Sequence, residues 1–165
     1  MISDEEIERI IPILESSMES NPVFANRKWS EDYVRVWLAG EIALAEFTGV
    51  IPDFRSKYHG DGGTDSYIDI VINNAMKRKT INVKTSKKPY NLVAEPGRSK
   101  ADIYMLAHYF SETRRARIIG WQWSQIIHQC PTKKLTDDGV PLHVMPFHEL
   151  RDIRVLSDKM VKTHD

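Results

Sequence analysis

Three polar residues stand on two short β-branched runs in the middle of this chain: Asp69 in the first, then Asn82 and Lys84, two apart, in the second. An acid on one strand, facing an oxygen ligand and a lysine on the next, is what metal-assisted hydrolysis of a phosphodiester requires. If the runs pair as a hairpin with Ile72 opposite Lys79, Asp69 falls opposite Asn82. The two-residue period of a strand then puts both on one face with Lys84. An acid beside a carboxamide on a half-buried strand costs free energy unless something fills the space between them. Hard oxygens from Asp69, the Asn82 side chain and a backbone carbonyl such as that of Val83 suit Mg²⁺. Such an ion lowers the pKa of a bound water and offsets charge on a phosphate. Lys84 is placed to hold the attacking water or the phosphate as a point charge. The plainer alternative is a hydrogen-bonded Asp69–Asn82 pair with Lys84 at the rim.

Further candidates surround this pair. Glu41 falls in the apolar stripe of a helix, where a carboxylate wants a partner, and a metal in the sheet is a good one. Asp65 lies four residues before Asp69, on the same side of an extended chain, and is the ligand if the hairpin is longer. The run from Asp61 to Asp69 also resembles the start of a calcium loop, but such a loop needs Gly at its sixth position and Glu at its twelfth, and Ser66 and Ile72 stand there. Lys57 and His59 precede the acidic turn and are candidates for phosphate contact, as are Ser86, Lys87 and Lys88 after the second run. Trp121 and Trp123 are read as core or rim aromatics rather than base-stacking groups. Cys130, His143 and His148 lack the spacing of zinc ligands.

The elements that must position these residues follow from periodicity. Ser3 with Glu6 is a capping-box pattern, and Ile7, Ile10, Ile11 and Leu14 continue it, predicting a helix over 3–17. Residues 21–29 read as a loop. A stronger helix runs over 30–47, from Ser30 as N-cap to Gly49 as stop, with Val34, Trp37, Leu38 and Ala45 as its buried stripe. Strands are expected over 66–72, 80–85, 90–94, 103–110, 116–121 and 142–145. A short helix capped by Ser124 is expected through His128, and a closing helix over 148–156. Residues 131–139 read as a loop. The order predicts an α/β fold, a single domain with one mixed sheet flanked by helices.

With 165 residues, 41% of them apolar and 28% charged, the chain is long enough for one globular domain. Its formal net charge is zero, so any nucleic-acid contact must come from local basic runs: 77–79, 84–88 and 114–117. A single cysteine excludes an intramolecular disulfide and fits a reducing cytosol. No apolar run approaches the roughly 20 residues of a membrane span, and the N-terminus does not read as a signal peptide. A cytoplasmic protein is expected.

The stretch GDGGTDSYIDI…INVKTSKK resembles the core of the PD-(D/E)xK nuclease superfamily: an acid, a short hairpin, then acid-x-Lys. Glu41 on the preceding helix matches the helix glutamate that many branches carry. Ala101 to Leu106, Ile119-Gly120-Trp121 and His148 to Arg151 are similar to a branch common in phages and mobile elements. The resemblance spans about residues 30–155, with 1–29 as an N-terminal helix and loop. It implies a restriction-endonuclease-like sheet and cleavage of DNA with Mg²⁺ or Mn²⁺, in the host cytoplasm if phage-encoded. Cutting both strands would favour a homodimer. The chain departs from the pattern at Asn82, where the family has Asp or Glu. Asn keeps a ligand oxygen and loses the charge, so a catalytically impaired relative that binds DNA or protein is the alternative. A structural protein with no nucleic-acid role is a third. The pattern's helix after the lysine strand is also not visible in 89–100.

Overall fold

Helix α1, Glu31–Thr48, buries most of the stripe its spacing predicts: Val34 and Leu38 are fully buried and Ala45 nearly so, with Leu44 beside them, while Trp37 is only half-buried. It stops at Gly49, whose φ of 70° is a left-handed conformation that glycine adopts without penalty. The Gly49 N–H donates to the Ala45 carbonyl at 2.8 Å, closing the last turn. The computed structural model describes residues 31–49, 68–72, 77–97, 101–136 and 139–156, with Glu5, Glu8, Arg9, Ile11, Pro12 and Ser16 in the N-terminal segment. Those six are helical, within the helix expected over 3–17. The loop expected over 21–29 and the Ser30 cap lie outside the described residues. Among the described residues, no helix is long and apolar enough to cross a membrane.

Among the described residues seven strands follow: β1 (Ile68–Ile72), β2 (Lys77–Ser86), β3 (Asn91–Ala94), β4 (Ile103–Phe110), β5 (Arg115–Trp123), β6 (Thr132–Lys133) and β7 (Leu142–Pro146). A four-residue helix α2, Ser124–Ile127, separates β5 from β6. The fold mixes helix and strand as expected, but the strands form two sheets rather than one, ordered β1-β2-β4-β5 and β3-β7-β6. The larger sheet is mixed: β2 is parallel to β4, and the other neighbours are antiparallel. A parallel pair needs a crossover connection. Here that connection contains β3, which pairs with β7 in the second sheet.

The reason is visible in the burial. One face of the larger sheet packs Ile81, Val83, Ile103, Met105 and Ala107 against Ala43 and Leu44 of α1. The other face packs Tyr104 and Leu106 with Leu92, Ala94 and Met145 from the second sheet. Strand β4 is therefore apolar on both sides, and needs a layer on each.

Two end signals are read differently by the structure. Trp123, not Ser124, is the cap residue of α2, and the Ser124 N–H donates instead to the Asp102 carbonyl at 2.9 Å. The closing helix expected over 148–156 is interrupted. A 3-10 turn, Phe147–Glu149, ends where Arg151 pairs antiparallel with Trp121. The Arg151 N–H meets the Trp121 carbonyl at 2.9 Å, and the Trp121 N–H meets the Arg151 carbonyl at 3.2 Å. Edge strand β5 takes up backbone bonds that a continuous helix would keep for itself. Helical turns resume at Ile153.

Candidate functional site

Strand β2 divides its residues between two environments. Gly40 of α1 lies against the Thr85 side chain, so α1 covers the face of Ile81, Val83 and Thr85. By alternation Asn82, Lys84 and Ser86 occupy the opposite face, in register with Tyr104, Leu106 and His108 of β4. On that face Asn82 is buried, 6% exposed, and its Oδ1 has no hydrogen-bond partner. An orphaned buried carbonyl costs about 1–3 kcal/mol, so something is expected to compensate. Lys84, two residues on, is half-buried and among the described residues meets no carboxylate.

The hairpin register differs from the expectation by two residues. Ile72 pairs with Lys77 and Asp69 with Thr80, not with Asn82. Strand β2 begins earlier than its β-branched content suggests, so the Lys77-Arg78 pair belongs to the ladder rather than the turn. A shift of two preserves the face. The Asp69 position therefore remains on the Asn82 and Lys84 side of the ladder, one diagonal step from Asn82 rather than directly opposite it.

Glu41 stands apart. It is 1% exposed, on a helix that covers the Thr85 face. The structure does not bring it onto the face of Asn82 and Lys84, because the helix packs against the odd-numbered side of β2. Val83 packs its side chain into the core beside α1. Asp65, Lys57 and His59 lie outside the described residues. Ser86 Oγ accepts the Lys88 N–H at 3.0 Å, a local turn contact. Lys87 is held by Asp32, with both oxygens at 2.7 Å, and sits 6.0 Å from the Tyr109 ring. Lys88 is exposed. Among the described residues, no three His, Cys, Asp or Glu side chains are grouped to hold a metal.

A polar clasp that sequence reasoning missed lies at the other end of β2 and β4. Asp102 Oδ2 accepts the Thr80 N–H at 2.9 Å and the Thr80 hydroxyl at 3.2 Å, and Lys79 Nζ reaches Oδ1 at 3.2 Å. Partial burial raises the Asp102 carboxyl's pKa, but these donors outweigh it and hold it below the usual value. The clasp borders an open cleft with Trp123, Ser124, Gln125 and His128. Burial, then the neighbouring His143, pushes the His128 pKa down. The only signal for the clasp in the sequence was an acid just before an apolar strand, which reads equally well as a loop residue.

No family model matches the chain, and no curated protein or solved structure matches it either.

Proposed function

We propose that the chain is a nuclease-like protein of the PD-(D/E)xK type, a restriction-endonuclease-like domain acting on DNA with Mg²⁺ or Mn²⁺ through the β1–β2 hairpin. The observation that carries this is the buried Asn82 Oδ1 without a partner, two residues from the half-buried Lys84. The Asp69 position lies on the same face of the adjoining strand. The donor set suits such an ion in kind and falls short in charge, since Asn82 offers a hard but neutral oxygen. Asp69 and Asn82 would hold the ion, with Asp65 as a further ligand. Bound there, it supplies charge compensation for the phosphate and a more acidic water. Asn82 orients that centre through Oδ1. Lys84 places a positive charge beside it, where negative charge grows on a phosphate under attack.

One observation favours the second reading, a DNA- or protein-binding relative that cuts weakly or not at all. Glu41, the helix acid that the resemblance assigns to the site, lies on the helix over the other face of the sheet. The test is plasmid nicking by this protein and by Asn82→Asp, with Mg²⁺, Mn²⁺ or EDTA. Metal-dependent nicking that rises in Asn82→Asp supports the nuclease reading. A silent parent and a silent Asn82→Asp protein, with salt-dependent DNA binding retained, support the second. Where both strands are cut, a two-fold pair of chains would supply the two sites.

A further inference from the structure

The far ends of β2, β4 and β5 extend past the cover of the second sheet. In register, Ser86 pairs with His108, and His108 with Arg117. These three share a face with Lys84 and Phe110, each two residues along its strand. The second sheet covers this face at Tyr104 and Leu106, but Phe110 is 38% exposed and Arg117 is exposed. The His108 and Phe110 rings lie 4.2 Å apart between centroids, tilted by 39°, so they form a short aromatic step with its outer ring open. Lys84 and Arg117 stand on the two adjoining strands. Among the described residues neither meets a carboxylate, whereas Lys79, Lys87, Arg114 and Arg115 all do.

We propose that this corner of the sheet is a docking platform for single-stranded nucleic acid. A base stacks on Phe110 with His108 behind it, and the flanking phosphates run past Lys84 and Arg117. The two features are complementary to the two parts of a nucleotide: an open ring face to a base, and cations that meet no carboxylate among the described residues to phosphate. A duplex satisfies the cations alone, because its bases are stacked inside. An apolar protein surface satisfies the rings and leaves the cations desolvated. The inference rests on the reading that the chain handles nucleic acid, and Lys84 is shared between the platform and the Asn82 face. A strand lying on the platform would therefore lead toward the proposed site.

The test is fluorescence anisotropy in EDTA, so that cleavage plays no part, using a labelled oligothymidylate of about 15 nucleotides and a duplex of equal length. The parent should prefer the single strand. Phe110→Ala should weaken single-strand binding roughly tenfold or more, the worth of one stacked base, with little change for duplex. Phe110→Trp should retain affinity, which guards against a general folding defect, and Phe110→Leu should behave as alanine does. Equal single-strand affinity in the parent and Phe110→Ala overturns the platform. So does a parent that binds duplex alone, a result that leaves the nuclease reading standing. A parent that binds neither oligonucleotide also overturns it. Failure of Asn82→Asp to cut DNA leaves the platform untouched.

Discussion

Gly40 is seated so tightly against Thr85 that a Cβ built on the glycine would lie 1.7 Å from the threonine hydroxyl oxygen and 3.0 Å from its Cβ. This contact fixes which face of the larger sheet α1 covers. It thereby decides that Asn82 and Lys84 look toward the second sheet while Glu41 rides above the first face. The close approach needs a residue without a side chain at position 40, and the helix accepts the propensity cost.

Gly40→Ala should destabilise the fold. Alanine gains up to about 1 kcal/mol over glycine in a helix, but overpacking against a stiff β-branched side chain costs about 1–3 kcal/mol. A net loss of up to about 2 kcal/mol should appear as a lower urea midpoint. Thr85→Ala in the same chain should recover part of it, because it removes the nearest atom. A Gly40→Ala protein as stable as the parent would show that α1 and β2 do not meet here.

Asn82 offers a reading of metal binding that needs no activity. Asn82→Leu removes the orphaned carbonyl in a similar volume and should stabilise the metal-free protein by about 1 kcal/mol. Asn82→Asp should do the opposite in EDTA near pH 7, since it buries a carboxylate, and should regain stability as Mn²⁺ is added. Urea unfolding of the three proteins with and without Mn²⁺ checks this. An Asn82→Asp protein indifferent to Mn²⁺ would remove Asn82 from the ligand set.

The Asp102 clasp predicts a pH dependence. Its carboxyl has a lower pKa folded than unfolded, where the usual value is 3.8. Its contribution is complete above the unfolded value and is lost as pH falls through the folded one. Asp102→Asn should therefore cost stability at pH 7, by less than about 1 kcal/mol because the side chain is 39% exposed and solvent screens the ion pair. The difference from the parent should shrink as the pH drops below 3.8. Unfolding curves of both proteins at neutral and acid pH decide it. A gap that widens in acid would contradict the assignment.

Much of the fold was legible because the signals were local and strong. The stripe from Val34 to Ala45, the glycine stop at 49 and the apolar run of β4 each point to one answer. The second sheet was not legible, since β3 and β7 are short strands some 50 residues apart, and nothing local tells which sheet takes them. The face of Asn82 and Lys84 followed from parity, which survives the two-residue register error. The separation of Glu41 did not follow. A buried acid on a helix stripe shows that it faces inward, not which side of a sheet it meets, and that was settled by Gly40 against Thr85, a contact between positions 45 residues apart in the chain.

We propose that the Asn82 and Lys84 face performs phosphodiester chemistry. Single-turnover DNA cleavage with Mn²⁺, by Asn82→Asp with and without Lys84→Ala, tests it most directly. Removing a charge that stabilises the transition state typically costs about 3 kcal/mol, so Lys84→Ala should slow the chemical step roughly a hundredfold or more. Binding should fall only modestly, since other cations supply most of the affinity. Equal rates with and without Lys84 would remove Lys84 from the chemical step.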